Sequence, residues 1–201
     1  IITPPPGVFE PVEWGELEVA LPTLCFDLSI ELFVEDRRIE LLHLGTAAHT
    51  TNDIIAWLPH ERILFAGDLA FNGGTPFALS GSVAGWLETL DRLAVLEPEF
   101  VVPGHGDVGG PELLTQTGDY LRFVQEAASP AHAAGQTPLE AARELDLGAF
   151  AHLTDRERIV GNLQRAFAEL DGAPRGVPLE VGPAFAGMVA YNGGHALHCC
   201  A

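Results

Sequence analysis

Three short stretches hold the side chains best suited to chemistry: His49-Thr50-Thr51-Asn52-Asp53, Gly67-Asp68 and Pro103-Gly104-His105-Gly106. Imidazole nitrogen and carboxylate oxygen are donor atoms for zinc. Each stretch follows an apolar run of strand character, at residues 39–44, 63–66 and 100–102. A strand that stops at a glycine delivers the next side chain to the rim of a sheet, and three rims can converge on one point. His49, Asp68 and His105 are therefore the candidate metal ligands. Asp68 is also the candidate catalytic carboxylate, because its two oxygens suit it to bridge two ions. A pair of zinc ions ~3.5–4 Å apart depresses the pKa of water and so generates a nucleophile at neutral pH. Asp53 reads as the group that orients His49 or its loop rather than as a ligand. Three ligands are enough for one metal and too few for two, so the rest are expected from an upstream segment.

The other histidines are weaker candidates. His43 alternates with apolar neighbours and reads as a satisfied sheet histidine, and His60 sits in a turn and reads as solvated. His195-Ala196-Leu197-His198-Cys199-Cys200 is dense in soft ligands, but no second Cys/His pair at finger spacing accompanies it. It reads as an ordinary tail.

The elements that must position these groups follow from periodicity. Residues 1–15 are irregular around Pro4-Pro5-Pro6-Gly7, and residues 17–21 are a candidate short strand. Residues 26–34 alternate as a half-buried strand does, and Glu35-Asp36-Arg37 turns the chain into the run that ends before His49. Residues 53–58 and 63–66 continue an antiparallel meander. Ser82 is an N-cap for a helix with Val83, Trp86, Leu87, Leu90 and Leu93 inward. Residues 100–102 are a short buried strand. Pro111 opens a helix to about Ala128. Thr137/Glu140 and Thr154/Glu157 both match the capping box, the second opening a helix with Ile159, Val160, Leu163, Phe167 and Leu170 on one face. Strands first and helices after make an α+β arrangement. Residues 1–135 are expected to form the site-bearing part and residues 136–201 a helical appendage with a tail. That appendage is a packing or dimerisation element, giving a homodimer, or else a cover for the site mouth.

Composition narrows the function. The net charge is −18, with 10 arginines and no lysine. So acidic a chain is a poor ligand for phosphate backbones, which argues against a nuclease and against nucleic-acid partners. Without lysine there is no Schiff-base amine and no P-loop in this segment. The three cysteines, Cys25, Cys199 and Cys200, form no disulfide framework, which points to the cytoplasm. No apolar run approaches the ~20 residues of a membrane span. The only methionine is Met188 and the sequence opens on Ile1, so a preceding segment is expected.

The order His-Thr-x-x-Asp, Gly-Asp after an apolar strand, then Pro-Gly-His-Gly resembles the second half of the metallo-β-lactamase superfamily, across about residues 15–125. The resemblance implies an αββα sandwich with a metal site at one edge. It implies that His49 holds the first of two zinc ions, Asp68 bridges them and His105 holds the second. Aspartate at position 68, where zinc β-lactamases commonly carry cysteine, resembles the wider branch of thioesterases, lactonases and glyoxalase-like hydrolases. The family's first motif, His-x-His-x-Asp-His, is not in this sequence, and it is the segment expected upstream. Residues 71–85, with Met188-Val189-Ala190-Tyr191-Asn192-Gly193-Gly194, are similar to an actinobacterial subgroup that includes cyclases and thioesterases of aromatic polyketide, and so antibiotic, biosynthesis. The expected substrate is a small molecule or a carrier-bound acyl thioester, with Phe71, Phe77 and Trp86 walling its pocket. A generic lactonase or glyoxalase-like hydrolase, or a non-catalytic fragment without the upstream motif, is the alternative.

Overall fold

The computed structural model describes residues 8, 9, 16 and 18–198. Their fold is mixed α+β, with a five-stranded sheet in the order β1-β2-β3-β4-β5. The strands are β1 (Ser29–Val34), β2 (Arg37–His43), β3 (Ile54–Leu58), β4 (Ile63–Phe71) and β5 (Phe100–His105). The first four pair antiparallel. Helix α1 (Val83–Ala94) then carries the chain across, so that β5 pairs parallel with β4. Helices α2 (Glu112–Ala133), α3 (Pro138–Glu144), α4 (Arg158–Leu170) and α5 (Val181–Tyr191) follow.

Side-chain alternation gives the sheet two apolar faces. Trp57, Leu64 and Val101 lie in register across β3, β4 and β5 and are buried, as is Ile55. They share one core with Val83, Trp86 and Leu93 of α1, Leu121 and Val124 of α2, and Ile159 and Leu163 of α4. That core runs without a break through residues on both sides of position 135. The opposite face carries the row Ile30, Leu41, Ala56, Phe65 and Val102, in register across all five strands. Beside it lie Leu58, Ile63 and Phe100. This second face is half-buried at most of these positions and open at two: Phe65 is 44% exposed and Phe100 52%.

Several local expectations are corrected. Residues 18–21 form no strand, and Leu17 lies outside the described residues. The strand expected from residue 26 begins at Ser29, after a bend at Asp27 and Leu28. Helix α2 runs past Ala128 to Ala133 with Pro130 inside it. The proline forfeits one ladder bond, and the final turn closes through the Ala134 N–H on the Pro130 carbonyl. The first capping box forms: the Thr137 hydroxyl accepts from Glu140 N–H and the Glu140 carboxylate accepts from Thr137 N–H. The second does not. Thr154 instead donates its N–H to the Gly73 carbonyl and accepts from Thr75 N–H, Asp155 turns at φ 52°, and α4 starts at Arg158 without a side-chain cap. A tertiary bridge has taken the groups a local cap would have used.

Candidate metal centre

Asp68 lies within β4, not beyond its end. The strand does not stop at Ala66. It bulges there, with register shifts on either side of Gly67, which adopts φ 53°. A residue at positive φ is the device that lets a bulged strand re-aim the next side chain. His105 likewise is the last residue of β5, two positions beyond Pro103, whose partner is Gly67. His49 stands in the loop between β2 and β3.

These three side chains, far apart in sequence, meet. The Asp68 carboxylate presents one oxygen to each imidazole, with Oδ2 3.7 Å from His49 Nε2 and Oδ1 3.5 Å from His105 Nε2. Both gaps are too long for hydrogen bonds. Two ligands ~2.0–2.1 Å from one zinc ion in tetrahedral geometry stand about 3.3–3.5 Å apart, so the His105 pair at 3.5 Å fits and the His49 pair at 3.7 Å is slightly wide. Among the described residues no three His, Cys, Asp or Glu side chains gather round a single point. The arrangement is one carboxylate shared by two imidazoles, two pairs of groups that could each serve a metal ion.

Close packing sets this geometry. A Cβ on Gly104 would lie 1.9 Å from Asp68 Oδ1, so only glycine lets β5 pass beside the carboxylate. The His105 ring stacks on Phe71 at 4.9 Å between centroids and 19° between planes. The His49 ring stands edge-on to Trp86 at 5.6 Å, and the Trp86 indole N–H donates to the Leu69 carbonyl at 3.1 Å. The loop before His49 rests on the start of α1. Ser82 N–H donates to the Ala48 carbonyl at 2.9 Å, and a Cβ on Gly81 would meet that oxygen at 1.8 Å.

Asp53 braces the loop from the other side. Its carboxylate accepts from the Thr50 N–H at 2.8 Å and the Thr50 hydroxyl at 2.7 Å, and lies 3.6 Å from His49 Nδ1. Burial pushes its pKa up, but the His49 ring and the two Thr50 donors outweigh burial and hold it below the usual carboxylate range. Nδ1 of His49 thus faces the Asp53 carboxylate while Nε2 faces Asp68. His43 donates its Nδ1–H to the Asp53 carbonyl at 3.0 Å, which fixes the start of β3. His60 is exposed. In the tail, Leu197 N–H donates to the Val8 carbonyl, while Cys199 and Cys200 lie outside the described residues.

The three aromatics expected to wall a pocket have different places. Phe71 lines a cavity of about 530 Å³ shared by the exit of β4, helix α2 and the segment around Phe150. Trp86 is fully buried beneath His49. Phe77 does not line that cavity; it packs on Phe185 at 6.4 Å and over Gly161.

Residues that sequence reasoning did not single out hold the loop after β4. Arg158, Asn162, Arg165 and Glu169 form a polar stripe along one side of α4. Arg158 donates to the Thr75 carbonyl, Asn162 donates to Pro76 and accepts from Ala78 N–H, and Arg165 donates to Leu79. Glu169 accepts from Val83 and Ala84 N–H at the start of α1. Their i, i+4, i+7, i+11 spacing was the available signal, since a polar stripe at helical period beside an apolar one needs partners when both are buried.

Residues 25–105 match the family model of the Metallo-beta-lactamase superfamily. The chain is similar to the metallo-beta-lactamase type 2 of Bacteroides fragilis, with 32% identity over 57% of this chain and 48% of that one. It is also similar to a hydroxyacylglutathione hydrolase of Rhodobacter capsulatus, with 37% identity over 33% of this chain and 29% of that one. A metallo-beta-lactamase from Pontibacter korlensis superposes with a TM-score of 0.47 at 23% identity, over 51% of this chain and 50% of that one. The chain thus spans about half the length, or less, of the curated relatives it matches.

Proposed function

We propose that residues 25–105 form the second half of a metallo-β-lactamase-fold site, and that the protein is a zinc-dependent hydrolase of small esters, thioesters or lactones. A carrier-bound thioester of aromatic polyketide assembly is the favoured substrate. The observation that carries the reading is the Asp68 carboxylate, which turns one oxygen to His49 and the other to His105 at 3.7 and 3.5 Å. The match of residues 25–105 to a family of hydrolases supports it.

His49 and Asp68 would hold one zinc ion, and His105 and Asp68 the other. When bound, zinc supplies Lewis acidity, polarising a carbonyl and lowering the pKa of water. The chain's own residues do the rest. Asp53 and Trp86 fix the His49 ring, Phe71 fixes the His105 ring, and Gly104 leaves room for the carboxylate. The Asp68 side chain stays 39% exposed, so a substrate can approach it. The remaining donors belong to a preceding segment bearing His-x-His-x-Asp-His, which also covers the open face of the sheet. No helix among the described residues is long and apolar enough to cross a membrane, and the exposed free Cys25 suits a reducing compartment.

A second reading is a scaffold that keeps the fold without a working centre. It is favoured by the count of two donors per half-site among the described residues. Metal analysis of the full-length protein separates the two. About two zinc ions per chain, with thioester hydrolysis lost in Asp68→Ala and thermal stability kept, is the expected result. A metal-free protein establishes the scaffold. Undiminished turnover in Asp68→Ala overturns the bridging role.

A further inference from the structure

We infer that the cavity beside His105 is an acyl-binding site for a neutral, aromatic-sized group, built jointly by the exit of β4, helix α2 and the segment 148–154. The inference rests on the hydrolase reading and names the side of the substrate that this chain recognises. The cavity encloses about 530 Å³, within the range of small-molecule sites. Phe71 joins it to the metal centre, because the ring that stacks on His105 also lines the cavity. Asn72 repeats the link: its N–H donates to the His105 carbonyl, and it lines the same space.

The walls are apolar where they are rigid. Phe150 packs edge-on to Tyr120 at 5.4 Å and against Phe123 at 5.0 Å, so helix α2 and the 3-10 turn Gly148–Phe150 hold one aromatic cluster. Segment 148–154 is not a loose flap. Gly74 bridges Thr154, Thr75 N–H donates to the Thr154 carbonyl at 3.1 Å, and Thr154 N–H donates to Gly73 at 3.0 Å. The part of the chain beyond residue 135 therefore completes a wall that starts three residues after Asp68.

Charge decides what fits. Among the described residues no arginine lines the cavity, and the sequence has no lysine. Arg122 is committed to Asp119 at 3.0 Å, and Arg158, 6.0 Å from the Phe71 centroid, donates to Thr75. Asp119, the partner of Arg122, is a lining residue, so that pair presents no unpaired cation to the cavity. An anionic acyl or thiol moiety would lose its hydration without an arginine or lysine in return. An aromatic ring would exchange water for Phe71, Tyr120, Phe150 and Leu153.

The test measures binding apart from turnover. The probe is N-(2-acetamidoethyl)-2-naphthamide, titrated into full-length protein stripped with EDTA, with glutathione as the anionic comparison. Ala149→Trp places a ring at an exposed lining position without touching the core. The expected result is saturable binding of the naphthamide, weakened about tenfold or more in Ala149→Trp, and no binding of glutathione. Absent binding, equal binding in the variant, or preference for glutathione overturns the cavity assignment. Hydrolysis of a naphthoyl thioester, measured in parallel, isolates the other premise. Binding without Asp68-dependent turnover sinks the hydrolase reading alone, and Asp68-dependent turnover without binding sinks the cavity alone.

Discussion

Gly104 and Asp53 support the same three side chains in different ways, and their variants should fail differently. A methyl group on Gly104 would overlap Asp68 Oδ1 and crowd the Asp68 N–H at 2.8 Å, so Gly104→Ala should displace the shared carboxylate and weaken both ions. Asp53 touches only the His49 side. Asp53→Asn should weaken one ion, by roughly 10–100-fold, as loss of a ligand's outer partner usually does. Chelator competition distinguishes them: one of two ions released early in Asp53→Asn, both in Gly104→Ala. A monophasic loss in Asp53→Asn would refute the half-site division. The convergence of His49, Asp68 and His105 and the place of Asp53 beside His49 were legible in the sequence, because His, Asp and Gly carry their chemistry with them. The aromatic contacts were not. Trp86 and Phe71 read as pocket walls, and only packing shows the first buried under one imidazole and the second stacked on the other.

Helix α4 shows why an element can be read correctly and its purpose missed. Its apolar face was visible from Ile159, Val160, Leu163 and Phe167, and all four are buried. Its polar stripe answers groups more than seventy residues earlier, and no local pattern encodes that. Asn162 satisfies the Ala78 N–H and Pro76 carbonyl and donates to the Tyr120 hydroxyl at 2.9 Å, within a site where burial pushes the Tyr120 pKa well up. Asn162→Ala strands those buried groups and should cost about 2 kcal/mol or more in urea unfolding. It should also loosen the loop after β4, seen as faster hydrogen exchange at Ala78. A change below about 0.5 kcal/mol would mean the stripe is incidental. Helix α3 makes a separate prediction. Hydrogen bonds from the Thr137 N–H and hydroxyl hold the Glu140 pKa below its ordinary value, against a small opposing effect of burial. The resulting stabilisation is complete above the ordinary glutamate range near ~4.3 and is lost as pH falls through the lower folded value. Hydrogen exchange in the first turn of α3 should accelerate over that acidic window; Thr137→Ala, which removes the hydroxyl and keeps the N–H, should remove part of the dependence, and Glu140→Gln all of it.

The whole molecule is organised by a sheet with two apolar faces and one described cover. The sequence foreshadowed this, since residues 54–58 and 63–66 are apolar almost throughout, the pattern of a strand buried on both sides. What no periodicity could reveal is which face the helices take. Register and packing assign them to Ile55, Trp57, Leu64 and Val101, leaving Ile30, Leu41, Phe65, Val102 and Phe100 on the other. That row is continuous and apolar across five strands, with Phe65 and the neighbouring Phe100 exposed, the kind of contiguous patch that marks a covered or binding face. The proposed preceding segment accounts for that face and for the missing metal donors together, so one measurement addresses both. In the full-length protein Phe65→Lys should bury an unpaired charge and cost about 2–3 kcal/mol or more. Val95→Lys, at an 80% exposed position after α1, makes the same charge change on open surface and should stay within about 0.5 kcal/mol of the parent. If the two variants unfold at the same urea concentration, nothing covers the outer face, and the source proposed for the remaining ligands loses its structural support.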